Sequence, residues 1–440
     1  MSYEMIALLM FSSMMLMLLT GQRVFGAIGG VAAVAALALW GTGGSDIPFA
    51  SAMKLMKWYP LLTLPMFIFM GYVLSESKIA DDLYKMFHVW MGPVSGGLAI
   101  GTIGLMVLVS AMNGLSVAGM AIGATIALPE LLRRGYDKIM VTGVIQAGSS
   151  LGILVPPSVV LVLYAMIARQ PVGQLWLAGV VPGLMMATMF VVYIYVRCRI
   201  TPSLGPVLPV DERNVSGAEK MRLLGAGILP LVIFATMMVP FVNGWTSLVE
   251  SSAIGAMTAF VAAVLKRRMT WKVFETCLRQ TLAISCMFMW IILAALGFGA
   301  VFDGLGAVKA IETLFTERLG LSPWMILILM QVSFLVMGTF LDDTAMLVIV
   351  APLYVPLVAA LGFDLVWYGV LYTVTTQIAY MTPPFGYNLF LMRAMAPPEI
   401  TMRDIYGSIA PFVLVMILAL ALIMVFPQIA LWLPDYIYGR

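Results

Sequence analysis

The amino-acid sequence predicts an all-α polytopic membrane protein that consists of two inverted-topology repeats. The first observation is composition: of 440 residues, 62% are hydrophobic and 10% are charged, with a mean hydropathy of +1.03. This composition is typical of proteins that cross a membrane many times, and it excludes a large soluble domain. The second observation is a pair of long apolar segments that prolines interrupt, and the third is a constant spacing between matching residues of the two halves.

Each interrupted segment predicts a helix that breaks within the bilayer. The first covers about residues 138–168, with Gly148 and a Pro-Pro pair near its centre, and the second covers about 365–394 with its own Pro-Pro pair. Proline removes a backbone donor and clashes with the preceding turn. The freed backbone groups persist at bilayer depth only where protein buries them or a wet cavity solvates them. Free carbonyls suit a cation and half-helix N-termini suit an anion, so the breaks predict a binding site.

The two halves share one plan, because matching residues recur at an offset of 227 positions. The matching pairs are Pro129 and Pro356, Gly135 and Gly362, Asp137 and Asp364, Pro156 and Pro383, and Pro157 and Pro384. A single doubled proline could arise by chance, but a shared offset at five positions indicates an internal repeat. Paired broken helices in such repeats are typical of secondary transporters.

The repeat predicts a division of the chain into residues 1–199, a cytoplasmic linker at 200–222 and residues 223–440. Each repeat contains a hairpin of two short apolar arms around a polar tip, at 98–132 and 323–357. For the first hairpin, the alternative is one ordinary helix that tolerates an Asn-Gly pair. The first apolar segment is expected to be retained as a span, because its start has no Lys or Arg and no cleavage pattern follows.

The remaining elements are predicted as scaffold spans and surface helices. The spans are expected at about 4–20, 24–42, 59–75, 172–197, 223–242, 247–265, 279–299 and 406–433, and the surface helices at about 44–57, 81–88, 266–278 and 304–319.

Lysine and arginine in short loops predict the orientation. The linker, Arg133-Arg134, Lys266–Arg268 and Arg393 are expected on the cytoplasmic side, and the loop at 242–246 on the outer side. The halves are then inverted relative to each other. Three basic residues oppose this scheme because it places them outside: Lys54, Lys57 and Arg169.

Five motifs identify a family. They are the segments Leu151–Ser158, Pro129–Asp137, Leu177–Gly183, Gly338–Thr344 and Thr382–Asn388. Together they resemble the large membrane subunit of the tripartite ATP-independent periplasmic (TRAP) transporters, along nearly the whole chain. A sixth segment, Glu250–Gly255, resembles a scaffold motif of that family. Asp343 and Tyr387 depart from the family pattern beside the expected site, which points to a substrate that is unusual within the family.

The resemblance implies a secondary active importer of organic acids in the bacterial inner membrane, coupled to sodium. It implies an elevator mechanism, as in the wider ion-transporter superfamily, and no cofactor besides the coupling ion. The implied partners are a periplasmic substrate-binding protein and a small four-helix membrane subunit. Because no such small subunit precedes Ser2, the unfused form is expected.

Sodium is a hard cation that prefers oxygen ligands, and both tips and both breaks offer them. The expected ligands are Ser110, Asn113, Gly114, Ser116, Gly148, Gly338, Thr339, Asp342, Asp343, Thr376 and Gln377. A carboxylate inside a membrane is costly unless a cation pairs with it, which favours this role for Asp342. The alternative for Asp342 and Asp343 is an N-cap on the second arm of the hairpin.

The substrate is expected at the breaks, against Ser149, Ser150, Pro156, Pro157, Thr382, Pro383 and Asn388. Ser149 and Ser150 could instead be packing residues. Neither broken helix contains Lys or Arg between residues 139 and 168 or 365 and 392. A carboxylate would therefore rely on backbone dipoles, hydroxyls and bound sodium. A C4-dicarboxylate or related acid is favoured over a sugar acid, because such acids are the more frequent substrates in the family.

Two other functional classes remain as alternatives. A single-component dicarboxylate or citrate carrier would share the repeats but need no binding protein. An intramembrane enzyme would need a catalytic pair, and the chain has only one histidine, His88, and three cysteines without metal-ligand spacing. Glu250 could pair with a partner subunit or be an interfacial acid. The sequence therefore predicts a transporter and not an enzyme.

Overall fold

The computed structural model describes residues 2–20, 22–77, 79–114, 116–207, 216–318, 320–338, 343–383 and 386–439. Within these ranges the chain is helical and contains no strand, which confirms the all-α fold class. Five of the described helices are long and apolar enough to cross a membrane by length and composition.

The described residues of the first half form eleven α-helices. They are α1 (Tyr3–Leu19), α2 (Val24–Ala35), α3 (Asp46–Met56), α4 (Thr63–Glu76), α5 (Ile79–Met91), α6 (Gly97–Asn113), α7 (Ser116–Ile122), α8 (Leu128–Arg133), α9 (Lys138–Ser150), α10 (Val159–Ala168) and α11 (Val172–Ile200). A π-helical turn at Gly123–Ala127 joins α7 to α8, and 3-10 turns lie at Tyr59–Leu62 and Leu151–Ile153.

The described residues of the second half form ten α-helices. Its helices are α12 (Gly217–Val242), α13 (Leu248–Leu265), α14 (Trp271–Gly304), α15 (Ala307–Thr313), α16 (Pro323–Gly338), α17 (Asp343–Ala360), α18 (Leu365–Tyr380), α19 (Tyr387–Met395), α20 (Met402–Val425) and α21 (Gln428–Tyr438).

The matching residues of the two halves have the same structural role. Asp137 caps α9 by accepting a hydrogen bond from the Met140 amide at 2.9 Å. Asp364 caps α18 in the same way, accepting from the Val366 and Trp367 amides at 2.8 and 2.9 Å. A cap of this kind stabilises a helix by about 1 kcal/mol. The spacing of 227 positions is thus reproduced in the geometry of the two helix starts.

Two elements differ from the sequence prediction. The surface helix and span expected at 266–278 and 279–299 form one helix, α14, which the Thr270 hydroxyl caps by accepting from the Val273 amide. No proline or glycine separates the two parts, so nothing ends the helix between them. The last predicted span, 406–433, is two helices, because Pro427 follows the end of α20 and begins α21.

The two broken helices run antiparallel. The Tyr164 hydroxyl, near the end of the first, donates to the carbonyl of Leu365 at the start of the second, at 2.8 Å. Midway, the Gln377 amide donates to the carbonyl of Ser150 at 2.9 Å. At the opposite end Lys138 pairs with Asp404, just beyond the second broken helix, at 2.8 Å. Inversion of one half relative to the other would produce this arrangement.

The linker marks one end of the molecule. Its residues Leu204 and Gly205 accept hydrogen bonds from the amides of Asp137 and Gly96, at 3.1 and 3.0 Å. The start of α9, the end of α11 and the base of α6 therefore lie together. The end of α10, the start of α11 and the end of α12 lie at the opposite end, since the broken helix α9–α10 and the helices α11 and α12 each run from one end of the molecule to the other.

Cysteine labelling tests this assignment of ends. In a Cys286→Ala background, Ser203→Cys should react with a membrane-impermeant thiol reagent only from the cytoplasmic side, and Asn243→Cys only from the outer side. The reason is that, among the described residues between these two exposed positions, α12 is the one helix long and apolar enough to cross a membrane. Labelling of both positions from one side would contradict the predicted topology.

Candidate functional site

The first break is a buried, sharply bent segment. After α9 ends at Ser150 a single 3-10 turn follows, and the chain then passes through a cis peptide bond between Pro156 and Pro157. Ser158 begins the next helix: its hydroxyl accepts from the Leu161 amide at 3.1 Å and donates to the carbonyl of Ile153. Every residue from 151 to 158 is buried. The polar groups that the prolines release are thus enclosed by protein, as bilayer depth requires.

The tip of the first hairpin contacts this break. The helix ends at Asn113 and resumes at Ser116, so the chain is not one continuous helix. Gly114 has φ +64°, and its carbonyl accepts a hydrogen bond from the Val159 amide at 3.3 Å. A Cβ atom at Gly114 would overlap the carbonyl oxygen of Pro157. Only glycine therefore satisfies both the backbone conformation and the close approach.

The end of α9 packs closely on the same hairpin. A Cβ atom at Gly148 would lie 2.7 Å from the Met106 side chain of α6, and one at Gly119 would lie 3.3 Å from Ser149. The hydroxyls of Ser149 and Ser150 donate to carbonyls of their own helix, at 2.9 and 2.8 Å. Both hydroxyl oxygens keep lone pairs, so these serines serve packing and can still accept a hydrogen bond.

The second break is closed by short local hydrogen bonds. The Thr382 hydroxyl donates to the carbonyl of Ile378 at 2.7 Å, and the Gly386 amide donates to the carbonyl of Thr382 at 3.2 Å. Pro383 is exposed at the turn, and Pro384 lies outside the described residues. The second broken helix therefore bends within a few residues and restarts at α19.

The first hairpin also reaches the second break. The Ser116 hydroxyl and the Asn388 side-chain amide lie 3.3 Å apart and are both buried. Because Ser116 starts α7 and Asn388 lies in the first turn of α19, one hairpin tip contacts both breaks. Residues that the sequence predicted independently in the two halves thus converge at one place.

The second hairpin lies against the end of α18. A Cβ atom at Gly338 would lie 2.5 Å from the Ala379 side chain. The tip residues Thr339 and Asp342 lie outside the described residues, and Asp343 is described only as the start of α17. Ser110 and Asn113 are likewise placed only by the backbone of α6. Their roles as ligands stay predictions.

The remaining predicted residues lie on α18. The Thr376 hydroxyl donates to the carbonyl of Tyr372 in its own helix at 2.8 Å, and Gln377 donates across to the carbonyl of Ser150. The carbonyl of Gly148 accepts from the Leu151 amide at the end of α9. These atoms hold the bend of the first break and its contact with the second half.

Three buried glutamines surround this region, and the sequence interpretation had missed two of them. The Thr375 hydroxyl donates to Gln331 of α16, and the Gln146 amide donates to the Ser408 hydroxyl at 3.2 Å. Each of Gln146, Gln331 and Gln377 has one side-chain amide atom without a hydrogen-bond partner within the described part of the chain. A lone glutamine in an apolar helix such as α16 was the available signal, since burying an unpaired amide costs a few kcal/mol.

Glu250 has a local partner. It accepts a hydrogen bond from the Ser247 amide at 2.7 Å, while the Ser247 hydroxyl accepts from the Glu250 amide at 3.3 Å. This reciprocal pair is a capping box at the start of α13. The capping of α13 therefore accounts for a glutamate at position 250 in the scaffold motif.

Replacement of Gly114 tests the contact between tip and break. Gly114→Ala should lower the free energy of unfolding by at least about 3 kcal/mol, because strain at positive φ adds to the overlap with Pro157. The matched control is Gly135→Ala, at φ +76° with no atom near the new Cβ, which should cost about 1 kcal/mol. Thermal unfolding of the purified protein measures both. Equal losses would contradict the close approach.

A double-mutant cycle tests the contact between the first tip and the second break. Ser116→Ala and Asn388→Ala should each destabilise the protein, with a coupling energy of about 0.5–1.5 kcal/mol because they share one buried hydrogen bond. Thermal unfolding of the two single variants and the double variant gives this energy. Strictly additive losses would mean that the two side chains do not interact.

Comparison with known proteins agrees with the motifs. A family model described as "Tripartite ATP-independent periplasmic transporter, DctM component" matches residues 11–429. The C4-dicarboxylate TRAP transporter large permease protein DctM of Pseudomonas aeruginosa is 31% identical over 383 residues, covering 86% of this chain and 87% of that protein. The ectoine TRAP transporter large permease protein TeaC of Halomonas elongata is 28% identical over 381 residues, covering 85% and 86%.

Other relatives are named as sialic acid and isethionate TRAP transporter permeases, the latter a longer protein named DctMQ. The crystal structure of the Alcanivorax borkumensis YdaH transporter superposes with a TM-score of 0.65 at 17% identity, covering 89% of this chain and 91% of that one. At that identity the likeness shows the fold alone. The match over nearly the whole sequence shows that this chain belongs to the DctM family of TRAP transporter large permeases, integral proteins of the inner membrane.

Proposed function

We propose that this permease imports a small organic acid by sodium symport, and that the acid and the sodium ions bind where the hairpin tips meet the two breaks. The observation that carries the proposal is the contact of Ser116 with Asn388, which brings one tip to both breaks. A site made from both repeats near the midplane is the arrangement by which secondary transporters alternate access.

The polar lining supports bound ions at this place. Gln331 and Gln377 are buried, and each leaves one amide atom without a partner among the described residues. Burial of such an atom costs a few kcal/mol unless a bound ion, a substrate or an ordered water satisfies it. Carbonyls, hydroxyls and amide oxygens also form the donor set that sodium prefers, as other hard cations do. The acidic residues Asp342 and Asp343 at the second tip would add charge to that set.

The anion preference follows from the helix starts. α10 begins at the first break and α19 at the second, and both start inside protein. The positive ends of their dipoles attract an anionic group. The apolar parts of both broken helices lack Lys and Arg, so they offer no ion pair to that group. The relatives are named for C4-dicarboxylate, ectoine, sialic acid and isethionate, which all carry a carboxylate or a sulfonate. We favour a C4-dicarboxylate or related acid.

An elevator movement is supported by the contact between the second hairpin and α14. α14 packs against α2, α3 and α4, which we assign to a scaffold. It meets the hairpin where a Cβ atom at Gly299 would lie 2.7 Å from the Pro352 side chain. Small side chains make this surface smooth, so the block of hairpins and broken helices can slide along it without unlocking large side chains.

The proposed partners are supported by the family description, which names a tripartite periplasmic transporter. We propose a periplasmic binding protein that delivers the acid and a small membrane subunit that packs on the scaffold. The name DctMQ of one longer relative supports the second partner, since this chain covers 92% of its own length but 62% of that protein.

Uptake into proteoliposomes tests the coupling. The complete complex should accumulate acid only under an inward sodium gradient. Asp342→Asn should raise the sodium concentration for half-maximal uptake about tenfold, equivalent to about 1.4 kcal/mol of lost ion binding. Asp364→Asn is the matched control: it also neutralises one carboxylate, but asparagine still caps α18, so sodium dependence should not change. Accumulation that follows a proton gradient without sodium would overturn the proposal, and uptake without the binding protein would favour a single-component carrier.

A further inference from the structure

A wide crevice opens between the scaffold and the second hairpin, beside the contact of Gly299 with Pro352. Its volume is 1520 Å³, and its walls are α3 and α14 on one side and α17 with the end of α10 on the other. Among the described residues, none from a hairpin tip or a break lines it. Because Arg169 and Gln170 at the end of α10 line it, the crevice lies at the end of the molecule opposite the linker. The predicted topology makes that end the outer one.

Four charged side chains line the crevice: Asp46, Lys54, Arg169 and Asp303. None of the four forms an ion pair with another described residue. Although their charges sum to zero, the acids and the bases occupy different ends. Trp40, six residues before Asp46, lies beside Gly304 of α14, and Pro48 of α3 lies beside Gly297. Asp46 and Asp303 therefore lie towards the same end.

Lys54 lies at the other end of α3. It follows Asp46 by two turns on the same helix face, which is about 12 Å along the axis. The chain then enters α4, where the Phe67 ring lies 5.0 Å from Trp176 of α11. Arg169, in the link between α10 and α11, lines the same crevice as Lys54. The Debye length is about 8 Å at physiological ionic strength, so Asp46, two turns away, does not cancel the positive potential at Lys54.

An arginine at position 169 is unfavourable in two respects, and a glycine at the same position would avoid both. It ends α10 with φ 54° and ψ 39°, the left-handed region, which costs a residue with a side chain about 1 kcal/mol relative to glycine. It also opposes the distribution of basic residues that orients membrane proteins. Non-glycine residues in such conformations are concentrated at functional sites.

We propose that Lys54 and Arg169 form a receiving site for the anionic group of the substrate on its way to the breaks. The inference rests on the proposed function. Because the breaks have no basic side chain in their apolar parts, the crevice is where a carboxylate or sulfonate is first attracted by full charges. Electrostatic attraction of this kind raises association rates by about 10-fold or more and weakens as ionic strength rises. The group then moves to helix dipoles and bound sodium, which hold it without an ion pair that would slow its release.

The potential in the crevice can be measured without knowing the substrate. In a Cys286→Ala background, Ser51→Cys places one thiol in the crevice, one turn from Lys54. We expect the ratio of its reaction rates with an anionic and a cationic methanethiosulfonate to fall by at least about threefold in Lys54→Gln/Arg169→Gly. Arg169→Gly keeps the left-handed backbone, so folding is preserved. Arg267→Gly is the matched control, since Arg267 is also an arginine at positive φ, 55°, but does not line the crevice.

Uptake by the complete complex, over a panel of succinate, ectoine, N-acetylneuraminate and isethionate, supplies the second readout. For whichever acid is transported, Lys54→Gln/Arg169→Gly should raise KM about tenfold with little change in maximal rate. High salt should remove most of that difference, and Arg267→Gly should behave like wild type. An unchanged rate ratio for the thiol would overturn the inference, as would an unchanged KM in a variant whose rate ratio had fallen. If wild type transports none of the four acids, the function proposed above fails, while the thiol ratio still decides whether the crevice attracts anions.

Discussion

The structure depends on the need to satisfy backbone groups where two helices break inside a bilayer. Each break releases amides and carbonyls that lipid cannot hydrogen-bond, so protein must supply the partners. The partners come from other elements: the Gly114 carbonyl receives the Val159 amide, and the Ser150 carbonyl receives the side chain of Gln377. The first hairpin and the second broken helix therefore complete the first break, and the binding site that we propose is the region where these parts meet.

Much of the fold could be predicted because its causes are local. Proline pairs mark the breaks, aspartates mark the starts of α9 and α18, and polar turns mark the hairpins. The errors were at boundaries where no local signal existed. The sequence shows a change from charged to apolar within α14, but a helix continues through such a change when no residue ends it. Pro427, in contrast, was a signal that the prediction did not use.

The site could be predicted only in part, because contacts between distant segments leave no mark in a single sequence. The contact of Ser116 with Asn388 joins residues in different halves, which the sequence predicts separately, Ser116 from the polar tip and Asn388 from the motif at the second break. Gln331 was missed because an isolated glutamine in a hydrophobic helix has no motif around it. The sequence predicts Gly148 as a sodium ligand, and the structure also shows that this glycine lets α6 pack closely against α9. Close packing and ligand binding favour the same small residues near a site.

The hydrogen bond from Gln377 to Ser150 has a consequence for biosynthesis. The bond joins residues 227 positions apart, and the contact of Ser116 with Asn388 spans a longer interval. The first half emerges from the ribosome with its break unfinished and inserts well before its partner exists. Until the end of the chain arrives, the exposed carbonyl of Ser150 has to be held by water or by the insertion machinery. Truncated products of this gene should therefore be degraded early, even when they contain the whole first repeat.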